Sequence, residues 1–258
     1  MRFGLCTTVT PAMASLLKEA GFDYIESGVA DVLKPAESQS AFEDSWAPLR
    51  DVALPVEALN VFIPAHLKIT GESPDIASVI RYATTALTRA GQAGIAVVVF
   101  GSGGARAVPE GFGHAEATRQ IEGFLNAIAP VALENRVTIA VEPLRAPEAN
   151  ILATVAEAAA MVRRIGHPSI RLLVDAYHWN SNDRDTQSIV ANGDILRHAH
   201  IATFPNRKAP GHEPFDFTPF VDALRSARYT ARLSIEGGMP ETLSAFQVAH
   251  RVMSEFGL

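Results

Sequence analysis

The chain has 258 residues, of which 48% are hydrophobic and 19% charged. That composition describes a globule with room for a large core and excludes a disordered chain. A formal net charge of −6 gives no general attraction to nucleic acid or to an anionic membrane.

Short apolar runs alternate with amphipathic stretches along the whole chain. Residues 2–6 read as a first strand and 11–20 as a helix stopped by Gly21. A second strand, 22–26, ends on the carboxylate of Glu26, and 36–51 reads as helical. The third strand is 56–62. Ser73-Pro74-Asp75 then opens a helix reaching about residue 90, since serine can cap and proline is tolerated in a first turn.

The fourth strand, 95–100, is the most apolar and runs into Gly101-Ser102-Gly103-Gly104. A helix over 115–134 leads to the fifth strand, 137–141. A buried parallel strand reads as a continuous apolar run, so Glu142, followed by Pro143, marks where this one surfaces. Thr154 caps a helix ending near Gly166, and His167-Pro168 breaks the chain before the sixth strand, 170–174. A short helix, 186–191, joins it to the seventh strand, 196–201. A loop rich in proline and basic residues, 202–214, precedes a helix (217–228), the eighth strand (231–235) and a last helix (241–255).

Eight strand–helix alternations without a composition shift predict one α/β domain over residues 1–258, with a parallel sheet. No G-x-G-x-x-G follows the first strand, which counts against an open dinucleotide-binding sheet. Residues capable of chemistry sit at strand ends along the chain, which favours a closed (β/α)8 TIM barrel, whose C-terminal mouth gathers all eight ends.

Strands five to eight end, in order, on Glu142, Asp175, His200 and Glu236. An isolated acidic residue at such a place is most often a helix cap or an ion-pair partner. Four on consecutive strands argue jointly for one site. Three carboxylates and one imidazole suit a single divalent ion with open positions, Mn²⁺ foremost, with Mg²⁺ and Co²⁺ next. Zn²⁺ fits less well, because its closed structural sites prefer cysteine and histidine. An ion chelating a carbonyl and its neighbouring hydroxyl stabilises an enediolate, and paired glutamates can remove and return the proton. Glu142 and Glu236 lie on different arcs of the mouth, which favours inversion of a stereocentre.

The stretches FGSGGARAVPEGF (100–112), VEPLRAPEAN (141–150), LLVDAYHWN (172–180), HAHIA (198–202) and LSIEGG (233–238) resemble a known family. It is that of the xylose-isomerase-like barrels grouped as sugar phosphate isomerases/epimerases, and the branch with ketose 3-epimerases and hydroxypyruvate isomerase is the most similar. The resemblance implies a divalent-metal-dependent sugar or sugar phosphate isomerase or epimerase, with ketose 3-epimerisation favoured. It implies that Glu142, Asp175, His200 and Glu236 hold the metal, with Glu142 and Glu236 doubling as acid and base. His178, Glu148 and Arg207 are then the substrate-binding residues, although HIATFPNR carries Arg207 one residue further than usual. Some sugar epimerases place an aromatic wall after strand four, where this chain has residues 101–104.

His66, on the third loop, is a further candidate for the mouth. Glu26 could touch substrate or hydrogen-bond a neighbouring loop. Trp46 and Trp179 could wall a pocket, but a place in a core or an interface is the default for such aromatics. The glycines after strand four let the backbone pass close to a ligand or loop. The expected partner is a small-molecule sugar, without nucleic acid or membrane, and a homo-oligomer stays open. Cys6 excludes an intrachain disulfide and fits a reducing compartment, and the N-terminus lacks a long apolar core, so a cytoplasmic protein is expected. Three other readings remain: a lyase or dehydratase acting on a keto-sugar or keto-inositol, a non-catalytic subunit, and an apurinic-site endonuclease. The acidic balance and the scarcity of histidines oppose the last.

Overall fold

The structure is a computed structural model and describes residues 1–257. Eight parallel strands form a closed barrel in sequence order: β1 (Arg2–Cys6), β2 (Tyr24–Gly28), β3 (Val56–Asn60), β4 (Val97–Phe100), β5 (Thr138–Val141), β6 (Ile170–Asp175), β7 (Leu196–Ile201) and β8 (Arg232–Ile235). The seam between β1 and β8 runs in register from Arg2 opposite Arg232 to Leu5 opposite Ile235. This is the expected (β/α)8 TIM barrel.

Successive residues on a strand face opposite ways, which separates two cores. Along β4, Val98 and Phe100 join the main core between barrel and helices. Val97 and Val99 turn inward to meet Tyr24, Ala58, Ala140 and Leu173 inside the barrel. Tyr24 fits there because residue 4 is glycine, where a Cβ would come within 2.3 Å of the tyrosine ring. Between Leu172 and Leu173 the β6–β7 register slips by one residue. The slip pairs Leu173 with His198 and Asp175 with His200.

The helices start and stop for local reasons. Asp75, rather than Ser73, caps Ile76–Ala93 by accepting from Ser78 N, and Gly94 ends that helix in the left-handed region. Thr154 and Glu157 form a reciprocal capping box on Val155–Ile165. The single helix expected over 36–51 is divided. A turn of helix, Val29–Leu33, precedes it, Ser38 caps Gln39–Trp46, and a 3₁₀ turn, Ala47–Leu49, carries Pro48. Proline lacks the N–H that a continuing helix needs. Trp46 and Trp179 are both in the core. Among the described residues no helix is long and apolar enough to cross a membrane.

A methyl group at position 4 has nowhere to go in this interior. Gly4→Ala is expected to destabilise the fold by about 1–3 kcal/mol, as overpacked cores do, lowering the midpoint of equilibrium urea denaturation.

Candidate active site at the barrel mouth

Glu142 and Glu236 each stand one residue beyond their strand, Asp175 is the last residue of β6, and His200 lies within β7. The backbone N–H of Glu142 donates to the Phe100 carbonyl at 3.2 Å, and that of Glu236 to Ile201 at 3.1 Å. Both glutamates are therefore still tied to the sheet where their side chains reach the mouth. One donor atom from each of the four residues lies within 4.8 Å of the others. His200 Nδ1 is 3.2 Å from Glu142 Oε1 and 3.2 Å from Glu236 Oε2.

Asp175 shows what this ring is suited to hold. Its Oδ1 accepts from Tyr177 N at 2.8 Å and caps the short helix Ala176–Ser181. Its Oδ2 is buried without a hydrogen-bond partner, with His178 Nε2 at 3.5 Å. A carboxylate oxygen left this way is costly. Burial, abetted by the charge of Glu236, pushes the carboxyls of Asp175 and Glu142 above their ordinary range. Burial acts on Glu236 too, but His200 and Arg207 outweigh it and hold that carboxyl down to about 2. Three crowded hard oxygens and one imidazole nitrogen fit a divalent cation.

Beneath the ring, Glu26 is fully buried inside the barrel. Its Oε1 accepts from His200 Nε2 at 3.0 Å, and its Oε2 from His198 Nε2 at 2.7 Å and Ser234 Oγ at 2.6 Å. Ser234 Oγ in turn lies 2.7 Å from Tyr24 OH, which supplies the proton. Burial disfavours an ionised Glu26, but the two histidines outweigh it and hold its carboxyl well below the usual range. An ionised carboxylate only accepts, so Glu26 keeps a proton on His200 Nε2 and turns Nδ1 toward the ring. Burial opposes a charged imidazole, but Glu26 and Glu236 outweigh it and hold His200 well above the usual range, so a cation at Nδ1 would displace a proton. Cys6 Sγ also lies within 4.8 Å of donor atoms of Glu26 and His200. Those two are already bonded to each other, and burial keeps the thiol protonated.

A second set of side chains walls the cleft. His178 is buried, and its Nδ1 accepts from Arg145 N at 3.3 Å. Its Nε2 thus carries the proton, and burial favours the neutral ring. Arg207 Nη2 is 2.6 Å from Glu236 Oε2, and Nη1 is 3.6 Å from Glu148 Oε1. Two guanidinium groups lie over the Tyr177 ring, Arg207 at 4.6 Å and Arg145 at 4.9 Å. Arg106 is wholly buried and donates to the Glu142 carbonyl at 2.8 Å. Gly101 leaves room for the Glu142 carboxylate, since a Cβ there would meet Oε2 at 2.4 Å and push it aside.

The cleft has a volume of about 380 Å³ and is lined by Glu142, Glu148, His178, Arg207 and Glu236 among others. A larger depression, about 510 Å³ around Phe215 and Phe217, lies away from this donor set. Seven of the eight residues singled out in the sequence come together here. His66 does not: it is exposed, and Ala65 lines the cleft instead. Glu26, His198, Ser234, Arg106 and Tyr177 were not foreseen in these positions. The only hint was the His198-Ala199-His200 spacing, which puts both imidazoles on one face of β7.

A closed parallel barrel whose last four strands each bring a donor to the C-terminal mouth has its candidate site where barrels of this class place theirs. Residues 14–251 match the family described as xylose isomerase-like TIM barrel, and the chain belongs to that family. The D-psicose 3-epimerase of Agrobacterium fabrum is 30% identical over 119 residues, which are 46% of this chain and 40% of that protein. That match thus spans less than half of the relative's length. The L-ribulose 3-epimerase of a Methylomonas species is 26% identical over 222 residues, 84% of this chain and 74% of that one. A crystal structure of D-psicose 3-epimerase in the presence of D-fructose has a TM-score of 0.80 at 19% identity, covering 96% of this chain and 90% of that one, a likeness of fold.

Glu26→Gln keeps the shape of this network but not its charge. It is expected to weaken divalent-cation binding by about 10–100-fold, the usual effect of losing a partner behind a ligating histidine. Titration calorimetry with Mn²⁺ checks it.

Proposed function

We propose that this protein is a divalent-metal-dependent sugar isomerase or epimerase, and that its reaction is 3-epimerisation of a ketose. The observation that carries the reading is the unpartnered, buried Oδ2 of Asp175 in a ring completed by Glu142, His200 and Glu236. The ketose 3-epimerases among its relatives support the choice of reaction. Glu142, Asp175, His200 and Glu236 would hold the ion, with Mn²⁺ favoured by three oxygens and one nitrogen. A divalent ion there supplies Lewis-acid polarisation of the substrate carbonyl.

The chain's own residues do the rest. Glu142 and Glu236 arrive from β5 and β8 and flank the space between them. One removes the proton beside the carbonyl and the other returns it on the opposite face, which inverts the carbon. His178 offers its Nε2–H to a substrate oxygen. Arg207 and Glu148, braced on Tyr177 and Arg145, hold hydroxyls at the cleft wall. A small hydroxylated substrate is the proposed partner, and the cytoplasm the proposed site of action.

Chelation of the ion is expected to abolish turnover and to lower the melting temperature, with Mn²⁺ restoring both. Saturation at about 100 times the dissociation constant corresponds to roughly 2.7 kcal/mol of added stability. Calorimetry of the stripped and reloaded protein reads it.

Glutamine at 142 or 236 retains an oxygen donor but cannot accept a proton. Glu142→Gln and Glu236→Gln should each lose on the order of 10²–10⁴-fold or more in overall epimerisation. In deuterated water, each variant should still wash deuterium into one ketose epimer, and the two variants into opposite epimers. Near-normal conversion by both would remove the named residues from the mechanism.

A further inference from the structure

We propose that the cleft opens into a second chamber that takes a glycosyl group, so that the preferred substrate is a ketose carrying an uncharged sugar ring on the carbon remote from its carbonyl. This rests on the sugar-epimerase reading above. The cleft runs from Glu142, Glu236 and Arg207 to Asn60 and Val61 at the end of β3. Asn60 and Val61 also line a cavity of about 310 Å³ between the ends of β1, β2 and β3. A ketose whose reacting end lies at the four-donor ring has room to extend its other end toward these two residues. The first cleft, at about 380 Å³, is already in the range of roughly 300–1,000 Å³ that encloses small-molecule ligands. The second chamber is additional room.

Val61, at the junction, is 60% exposed, and its φ is +51°. A β-branched residue in the left-handed region is strained by about 1–3 kcal/mol, and such strain gathers at ligand clamps. It presents an isopropyl group on which the C–H face of a sugar ring can lie. Ser27, in the chamber wall, is 2% exposed, and its Oγ has no hydrogen-bond partner. Thr7, Thr8, Asp31 and Asn60 add donors and acceptors of the kind that hydroxyls satisfy.

Charge selects among ligands. Among the described residues no lysine or arginine lines the chamber, and Asp31 is its one charged residue. A phosphate on the remote carbon would meet a carboxylate and no cation, whereas a neutral ring meets hydrogen-bonding groups and the Val61 platform.

The test compares fructose, fructose 6-phosphate and isomaltulose, which is fructose with a glucosyl group on O6, on the Mn²⁺-loaded protein. Saturation-transfer NMR and competition titrations read binding, and deuterium wash-in reads the reaction. Isomaltulose is expected to bind at least tenfold more tightly than fructose, with saturation reaching the glucosyl protons, and fructose 6-phosphate more weakly than fructose. Ala30→Trp fills the chamber from an exposed wall position, and Val61→Gly removes the platform. Each should lower the isomaltulose-to-fructose affinity ratio at least tenfold. Saturation confined to the fructosyl half, equal affinities, or a preference for the phosphate would overturn the chamber. Glucosyl contact without deuterium wash-in from any of the three sugars would retain the chamber and overturn the epimerase reading.

Discussion

A carboxylate sealed inside a barrel is tolerable only if every lone pair that matters finds a proton. Glu26 meets that condition with two imidazoles and a serine, all of them buried. Taking such a charge out of water costs several kcal/mol even after relaxation, and only convergent hydrogen bonds offset it. The donors sit on β7 and β8, and Glu26 on β2, so the barrel must be closed and in register before the network exists. The aim of His200 toward the mouth follows from it. So does the need for Gly4, since Tyr24 must lie flat enough to reach Ser234.

Above this floor the loops carry a different kind of order. Arg106 leaves a short helix, Gly103–Arg106, and turns inward to hold the carbonyl of Glu142. Gly101 keeps clear the space that the same residue's carboxylate occupies. The loop after β4 therefore positions Glu142 from both ends. On the far side, Arg145 and Arg207 both lie over Tyr177, so the helix after β6, the loop after β5 and the loop after β7 share one aromatic ring. Changes in substrate preference can then arise in the β1 to β3 loops while the donor ring stays in place.

Much of this was legible in the chain because a parallel strand surfaces only once. An apolar run such as Val137–Val141 that stops on a carboxylate announces both the end of the strand and the residue at the mouth, and three such endings, with the histidine of the seventh strand, pointed to the ring. Glu26 was harder. Its partner His198 is 172 residues away, and no local pattern distinguishes a glutamate bound for a barrel interior from one bound for a loop. Arg106 reads as an ordinary loop cation in GGARAVP, because burial of a guanidinium is decided by the carbonyls it meets. His66 reads as a mouth residue by its loop, but the loop turns it to solvent. The helix over 36–51 divides for a local reason, a serine cap and a proline whose interruption the apolar pattern outweighed.

Asp175 spends its two oxygens on two different tasks, one capping the helix that follows and the other left open in the ring. Those tasks cannot be varied separately. Asparagine would preserve the cap and surrender the charge. Glutamate would preserve the charge but hold it one methylene further from the amide it must cap. The backbone of Tyr177 and His178 is thereby mechanically coupled to whatever occupies the ring, and a pull on one oxygen is transmitted through a single rigid carboxyl plane to the helix that carries the cleft wall. At this position side-chain length and charge are constrained together, and aspartate alone satisfies both.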